Sequence, residues 1–274
     1  MLIHLMDRLD RLRDRRRIAV IPIRGVLGGA VKTSDLIRII DRARTTPRIH
    51  AVMLDIDCPG GGATASEALY FAVKRLAADK PVVAWIRGTG ASGAYFLACG
   101  ATRVLAFPSA IVGSIGVISV RPVATEALRR AGIAIIATTT GPFKDLGAPW
   151  RDPTDEDRKK EQGLVDSVFQ RFTSVVREAR GYDDAALARV TTGEVWLGEQ
   201  AVEIGLVDAV CVTEDEALIT AQRLAGLPRV QPLVMRGKRG VLQRIGVPGA
   251  GMGPPGPRWI AEFEGWLRKP TLRL

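Results

Sequence analysis

The chain has 274 residues, 47% of them hydrophobic and 25% charged; this is a soluble globular composition, long enough to bury roughly 70–75% of the unfolded surface without staples. Three cysteines (Cys58, Cys99, Cys211) without a CxxC pair exclude a disulfide scaffold and a structural zinc site, and two histidines, His4 and His50, exclude a multi-histidine metal centre. The net charge of +10 comes from 39 Lys plus Arg, only eight of them lysine, against 29 Asp plus Glu; with no recognition motif beside it the charge reads as a solvated basic surface, and nucleic acid is not an expected partner.

Residues 1–17 form a basic amphipathic arm in which Leu2, Leu5, Leu9 and Leu12 recur at helical spacing. The arm suits docking to a neighbouring subunit, or peripheral contact with an anionic membrane surface. It has neither the apolar run of a signal peptide nor that of a transmembrane span, so the expected location is the cytoplasm or the membrane periphery. From residue 18 short apolar runs alternate with turns. Ile18–Ile23 is predicted as a strand, and a helix starts at Thr33 with Leu36, Ile39 and Ile40 on one face. His50–Ile56 is a second strand, running into Cys58-Pro-Gly-Gly-Gly62 ahead of a helix over Ser66–Ala78. Pro81–Ile86 is a third strand, followed by Gly88-Thr-Gly-Ala-Ser92-Gly93 and a helix over Ala94–Cys99. Val104–Phe107 and Ile133–Ala137 are the fourth and fifth strands. Residues 154–180 read as one long charged helix, and 195–209 as a helix with a glycine stop and a short strand. Past residue 226 the periodicity fades into a Gly/Pro-rich tail. The pattern predicts one α/β domain over 18–225, a largely parallel sheet flanked by helices, with an arm and a tail (226–274) at its ends.

Two glycine-rich turns sit at strand carboxyl ends, where open parallel sheets bind ligands. Cys58-Pro-Gly-Gly-Gly62 lacks the endings of a Walker loop and of a dinucleotide fingerprint. It offers either a tight strand-to-helix turn or bare backbone N–H groups for a developing oxyanion, where one lost donor costs about 3–4 kcal/mol. Ser92 stands where a nucleophile elbow places its serine, although the spacing is not GxSxG; the alternative is a helix N-cap. A nucleophilic serine requires a base. His4 lies in the arm, His50 begins a strand at the end opposite the turns, and arginine does not deprotonate. Among the lysines, Lys144 differs by its aromatic and apolar surroundings, Thr140-Gly-Pro-Phe-Lys-Asp-Leu-Gly-Ala-Pro-Trp150. A desolvated amine there would serve as a neutral base; a solvated lysine is the alternative.

Taken together, Cys58-Pro-Gly-Gly-Gly, Gly-Ala-Ser92-Gly-Ala-Tyr, Ile111-Val-Gly-Ser114-Ile-Gly-Val-Ile, Gly141-Pro-Phe-Lys144-Asp and Gly198-Glu-Gln-Ala-Val-Glu-Ile-Gly-Leu-Val-Asp208 resemble the protease IV / signal peptide peptidase A family over about residues 18–212. The resemblance implies a Clp-protease/crotonase-like fold and a Ser-Lys dyad of Ser92 and Lys144. It further implies that Ser114 orients the lysine amine and that the Gly61 and Ser92 N–H groups form the oxyanion hole. A homo-oligomer whose active sites draw serine and lysine from neighbouring protomers is also implied. Two departures stand out: Cys58 replaces the usual serine of Ser-Pro-Gly-Gly, and the membrane-spanning start of many members is not found.

The expected function is therefore a serine endopeptidase that cleaves peptides or unfolded segments with small or apolar residues through an acyl-enzyme, without metal or organic cofactor. Its activity should rise with pH as the base becomes neutral. Two rivals are a crotonase-type acyl-CoA enzyme, for which Asp55, Asp57 and Glu67 are the acids near the turns, and a non-catalytic peptide-binding scaffold.

Overall fold

The computed structural model describes residues 16–236. Eight strands form one sheet in the order β6-β5-β3-β2-β1-β8, with β4 against β3 and β7 against β4. They are β1 (Arg17–Arg24), β2 (Ile49–Cys58), β3 (Val82–Ala91), β4 (Arg103–Ala106), β5 (Ile111–Gly113), β6 (Val195–Leu197), β7 (Ala209–Val210) and β8 (Pro232–Val234). Every pairing is parallel except that of β5 with β6. The helices are α1 (Thr33–Thr45), α2 (Ala63–Asp79), α3 (Gly93–Ala98), α4 (Thr125–Arg130), α5 (Asp155–Arg180), α6 (Asp184–Val190), α7 (Gly198–Glu203) and α8 (Glu214–Leu224).

The described residues divide into two compact units, one ending at Gly116 and resuming at Phe172, the other Val117–Arg171. The first is built as its sequence demands. Strands covered on both faces must be apolar on both, and β2 is buried continuously from Ala51 to Ile56. On one face Ile18, Val20, Met53, Val83, Trp85 and Leu105 pack with Ala217, Leu218 and Ala221 of α8. Elsewhere Tyr70, Phe96 and Phe172 stack at ring separations of 5.3 and 4.9 Å. Arg180 ties down the Gly-Leu-Val-Asp208 segment, donating to the Gly205 carbonyl at 2.7 Å and to Asp208 Oδ1 at 3.3 Å. The second unit is held differently: among its described residues only Ala148 and Asp157 are buried. Arg151 grips Asp145 through two 2.8 Å bonds and also pairs with Asp157. Arg121 grips Glu161 at 2.7 and 3.0 Å.

The α/β reading, a largely parallel sheet flanked by helices, holds in the structure. One strand does not. Ile133–Ala137 has no ladder partner among the described residues, and Ile133, Ile135 and Ile136 are 51%, 49% and 94% exposed. An apolar run becomes a strand only where a neighbour supplies hydrogen bonds and a covered face. Residues 226–234, read from sequence as the start of the tail, close onto the sheet: Leu227 is buried and β8 pairs with β1. The arm, apart from Arg16 and Arg17, and the tail beyond residue 236 lie outside the described residues. Among the described residues no helix is long and apolar enough to cross a membrane.

Candidate active site

β3 changes partner along its length, and this change builds the site. Val83–Ile86 pair with β4, whereas Thr89–Ala91 pair with β5. Against β2 the register runs Ile56↔Ile86 and then Cys58↔Gly90, so three residues of β3 bulge opposite Asp57. The Asp57 carboxylate accepts the Thr89 N–H at 3.1 Å, and a Cβ on Gly88 would stand 2.6 Å from it. A side chain at Gly88 would thus displace the Asp57 carboxylate that holds the bulge. Beyond the bulge the strand delivers Ser92 between β3 and α3.

Ser92 has φ 55° and ψ −125°, a conformation that costs a non-glycine residue of the order of 1–3 kcal/mol. It occupies the N-cap position of α3, but its hydroxyl makes no cap hydrogen bond. The N-cap alternative is thus not realised, and the side chain is 7% exposed on its turn. The other glycine-rich turn closes directly on this residue. A Cβ on Gly60 (φ 102°) would lie 2.8 Å from the Gly93 nitrogen and 2.9 Å from Ser92 Cβ. One on Gly61 would lie 2.2 Å from the Leu27 carbonyl oxygen, and one on Gly93 would lie 2.0 Å from Ser66 Oγ and 3.4 Å from the Gly61 nitrogen. The Gly62 N–H donates to Leu27 and the Gly60 N–H to Cys58 Sγ, while the Gly61 and Gly93 N–H groups have no partner among the described residues.

One expected donor is placed otherwise. The Ser92 N–H, paired in the sequence reading with that of Gly61, donates to the Gly113 carbonyl at 2.7 Å because the β3–β5 ladder continues one residue past Ala91↔Gly113. It is already engaged. That same register sets Ser114 beside Ser92 on neighbouring strand ends, where strands lie about 4.8 Å apart. Ser114 also has a positive φ, 52°, and its N–H donates to the Glu194 carbonyl at 2.6 Å.

Cys58, where the resemblance led to an expected serine, is fully buried, and its sulfur accepts the Gly60 N–H at 3.4 Å. Burial pushes the thiol up to about 11, so it is neutral at physiological pH. Lys144 belongs to the second unit, in the turns between α4 and α5. Its own N–H donates to Gly141 at 3.2 Å and its side chain is exposed, as are Phe143 and Trp150. The desolvation expected from its neighbours is not supplied within its unit. The structure thus brings Gly61, Ser92 and Ser114 together in the first unit and places Lys144 in the second. His50 stands near the start of β2, at the opposite end of the strand from the turns.

A serine on a strained strand-to-helix turn, faced by unpartnered backbone N–H groups at the carboxyl edge of a parallel sheet, defines a nucleophile-elbow type of site. The profile of peptidase family S49 matches residues 74–228, and the chain belongs to that family. A Methanocaldococcus jannaschii relative is 33% identical over 191 residues, 70% of this chain and 61% of its own length. Protease 4 of Salmonella typhi is 32% identical over 205 residues, 74% of this chain and 32% of its own. The chain therefore spans about a third to three-fifths of these relatives. Two solved structures of the 1510-N membrane-bound stomatin-specific protease match with TM-scores of 0.52 and 0.51 at 15% and 16% identity. One is a serine-to-alanine mutant, the other a lysine-to-alanine mutant in complex with a substrate peptide. They cover 81% of this chain and 99% and 93% of their own, and their fold is the Clp-protease/crotonase-like one expected from the sequence.

Proposed function

We propose that this chain is a serine endopeptidase working through a Ser92–Lys144 dyad on peptides or unfolded segments with small or apolar residues. The observation that carries the reading is Ser92 itself: a strained, uncapped serine whose turn is packed against the Gly60–Gly61 turn. The Lys144 amine takes the Ser92 hydroxyl proton as Oγ attacks the scissile carbonyl, and Ser114 orients that amine. The oxyanion is received by the N–H groups of Gly61 and Gly93, since that of Ser92 is held by Gly113. The lysine returns the proton to the leaving amine, and water then hydrolyses the acyl-enzyme with Lys144 again as base. A peptide substrate is supported by the structural neighbour solved with one.

The exposure of Lys144 in its own unit supports a second part of the proposal, that chains assemble so that serine and lysine of one site come from neighbouring protomers. The acyl-CoA alternative loses ground because two of its acids are engaged: Asp55 pairs with Arg24 and with Arg87 (3.6 Å), and Asp57 holds the Thr89 N–H. The test is a burst experiment with a p-nitrophenyl ester of a short apolar N-acyl amino acid, quenched in acid and mapped by mass spectrometry. The proposal expects a stoichiometric acyl adduct on Ser92; an adduct elsewhere, or steady turnover without one in wild type, contradicts it.

A further inference from the structure

β5, which anchors both serines of the site, is only three residues long, and its ladder is held from outside by β6, an edge strand. β6 and the residue before it supply two contacts to it. The Glu194 carbonyl accepts the Ser114 N–H, and the Trp196 indole packs against Gly113. A Cβ on Gly113 would meet Trp196 Cε3 at 2.6 Å, Cζ3 at 2.7 Å and the Glu194 carbonyl oxygen at 3.0 Å. Gly113 has φ 108°, so only glycine fits both the conformation and the ring. Its carbonyl is the acceptor that holds the Ser92 N–H at 2.7 Å.

We propose that Trp196 is a positioning residue for the nucleophile: its indole, packed on Gly113, fixes the carbonyl that anchors the backbone of Ser92. The inference rests on Ser92 being the nucleophile. A strained residue keeps its conformation only where its surroundings over-determine it. At Ser92 the Gly60 side of the turn is fixed by close backbone packing, and the Gly113 side by one hydrogen bond from a short strand. Removing the indole leaves only the Glu194 carbonyl against Gly113, so the Gly113–Ser114 peptide is held from that side by its Ser114 N–H alone, and its carbonyl can tilt away from the Ser92 N–H. The hydroxyl then leaves the line of attack while the sheet below, held by β2 and β3, persists.

The ester burst tests this with Trp196→Leu, Trp196→Phe, Gly113→Ala and the double variant Gly113→Ala/Trp196→Leu. Trp196→Leu should slow acylation about 10- to 100-fold, as small misplacements of a reacting group do, with KM changed less than about twofold. Trp196→Phe, which keeps a flat ring on Gly113, should recover most of the rate. The double variant should acylate no more slowly than Gly113→Ala alone, because both changes act on the same carbonyl. If the Gly113 variants do not fold, the leucine–phenylalanine pair decides alone. A folded Trp196→Leu enzyme acylating Ser92 at the wild-type rate, losses that multiply in the double variant, or a change confined to KM would each overturn the inference and leave the dyad standing. Absence of any Ser92 adduct in wild type would instead bring down the dyad and the inference together.

Discussion

The two units of this chain are stabilised by different physics. The first buries apolar strands on both faces, and its two glycine-rich turns pack closely, with Gly60, Gly61 and Gly93 at separations that leave no room for a methyl group. Among its described residues the second buries only Ala148 and Asp157, relies on arginine–carboxylate pairs, and leaves Ile118, Ile133, Ile136, Phe143 and Trp150 exposed. The proposed nucleophile Ser92 and its proposed oxyanion donors therefore sit in a well-packed core, whereas Lys144 comes from a segment whose own unit does not bury it. In a Ser-Lys mechanism that division is chemically sensible. An oxyanion hole works by being fixed before the reaction, while the lysine needs a dry, apolar environment that another surface can provide.

Glycine substitutions should separate the two units most. Gly61→Ala places a Cβ 2.2 Å from the Leu27 carbonyl oxygen and moves a proposed oxyanion donor, so kcat should fall about 10²–10³-fold. Gly141→Ala, three residues before Lys144, meets nothing within 4 Å and should leave the melting temperature unchanged. Parallel melts and peptide kinetics on the two variants check both. Core truncation separates the units by stability. Met53→Ala, fully buried in the first unit, should cost about 2–5 kcal/mol in urea unfolding. Ile136→Ser, at a position 94% exposed, should stay within about 0.5 kcal/mol.

The smallest effects are in pH, and they fall on opposite sides. The buried thiols Cys58 and Cys211 are raised to about 11 and Cys99 to about 12, chiefly by desolvation, and all three belong to the first unit. Thiols raised above their unfolded values contribute stability that is fully present below about pH 9 and is lost as pH rises through 11–12. In the second unit the Arg151 guanidinium holds the Asp145 and Asp157 carboxyls below the usual range. Their contribution is present above about pH 4 and is lost as pH falls below it. Hydrogen exchange should therefore loosen the second unit first in acid and the first unit first in alkali. Arg151→Met should flatten only the acid limb.

The fold was legible where burial is continuous. β1 to β3 announce themselves as Val/Ile/Leu runs ending in glycine turns, β4 as a short apolar run into Pro108, and the long charged helix over 154–180 begins within a residue of α5. Ile133–Ala137 misled because hydrophobicity marks a segment that some surface covers, without saying which; the same composition suits a strand or an exposed contact segment. Ser92 was visible through its glycines. The engagement of its N–H was not, since that depends on a register between β3 and β5 that no local pattern encodes. Trp196 was invisible for the same reason: its role comes from Gly113, far away in sequence, and an isolated tryptophan in a short edge strand carries no signal of its own.

The division of labour between the units is tested most directly by hydrolysis of a fluorogenic peptide panel with small and apolar P1 residues. Wild type, Ser92→Ala and Lys144→Ala would be compared at matched oligomer size and melting temperature. Wild type should cleave, and both variants should lose about 10³-fold or more in kcat with folding unchanged. A Lys144→Ala enzyme that keeps wild-type turnover would contradict that division.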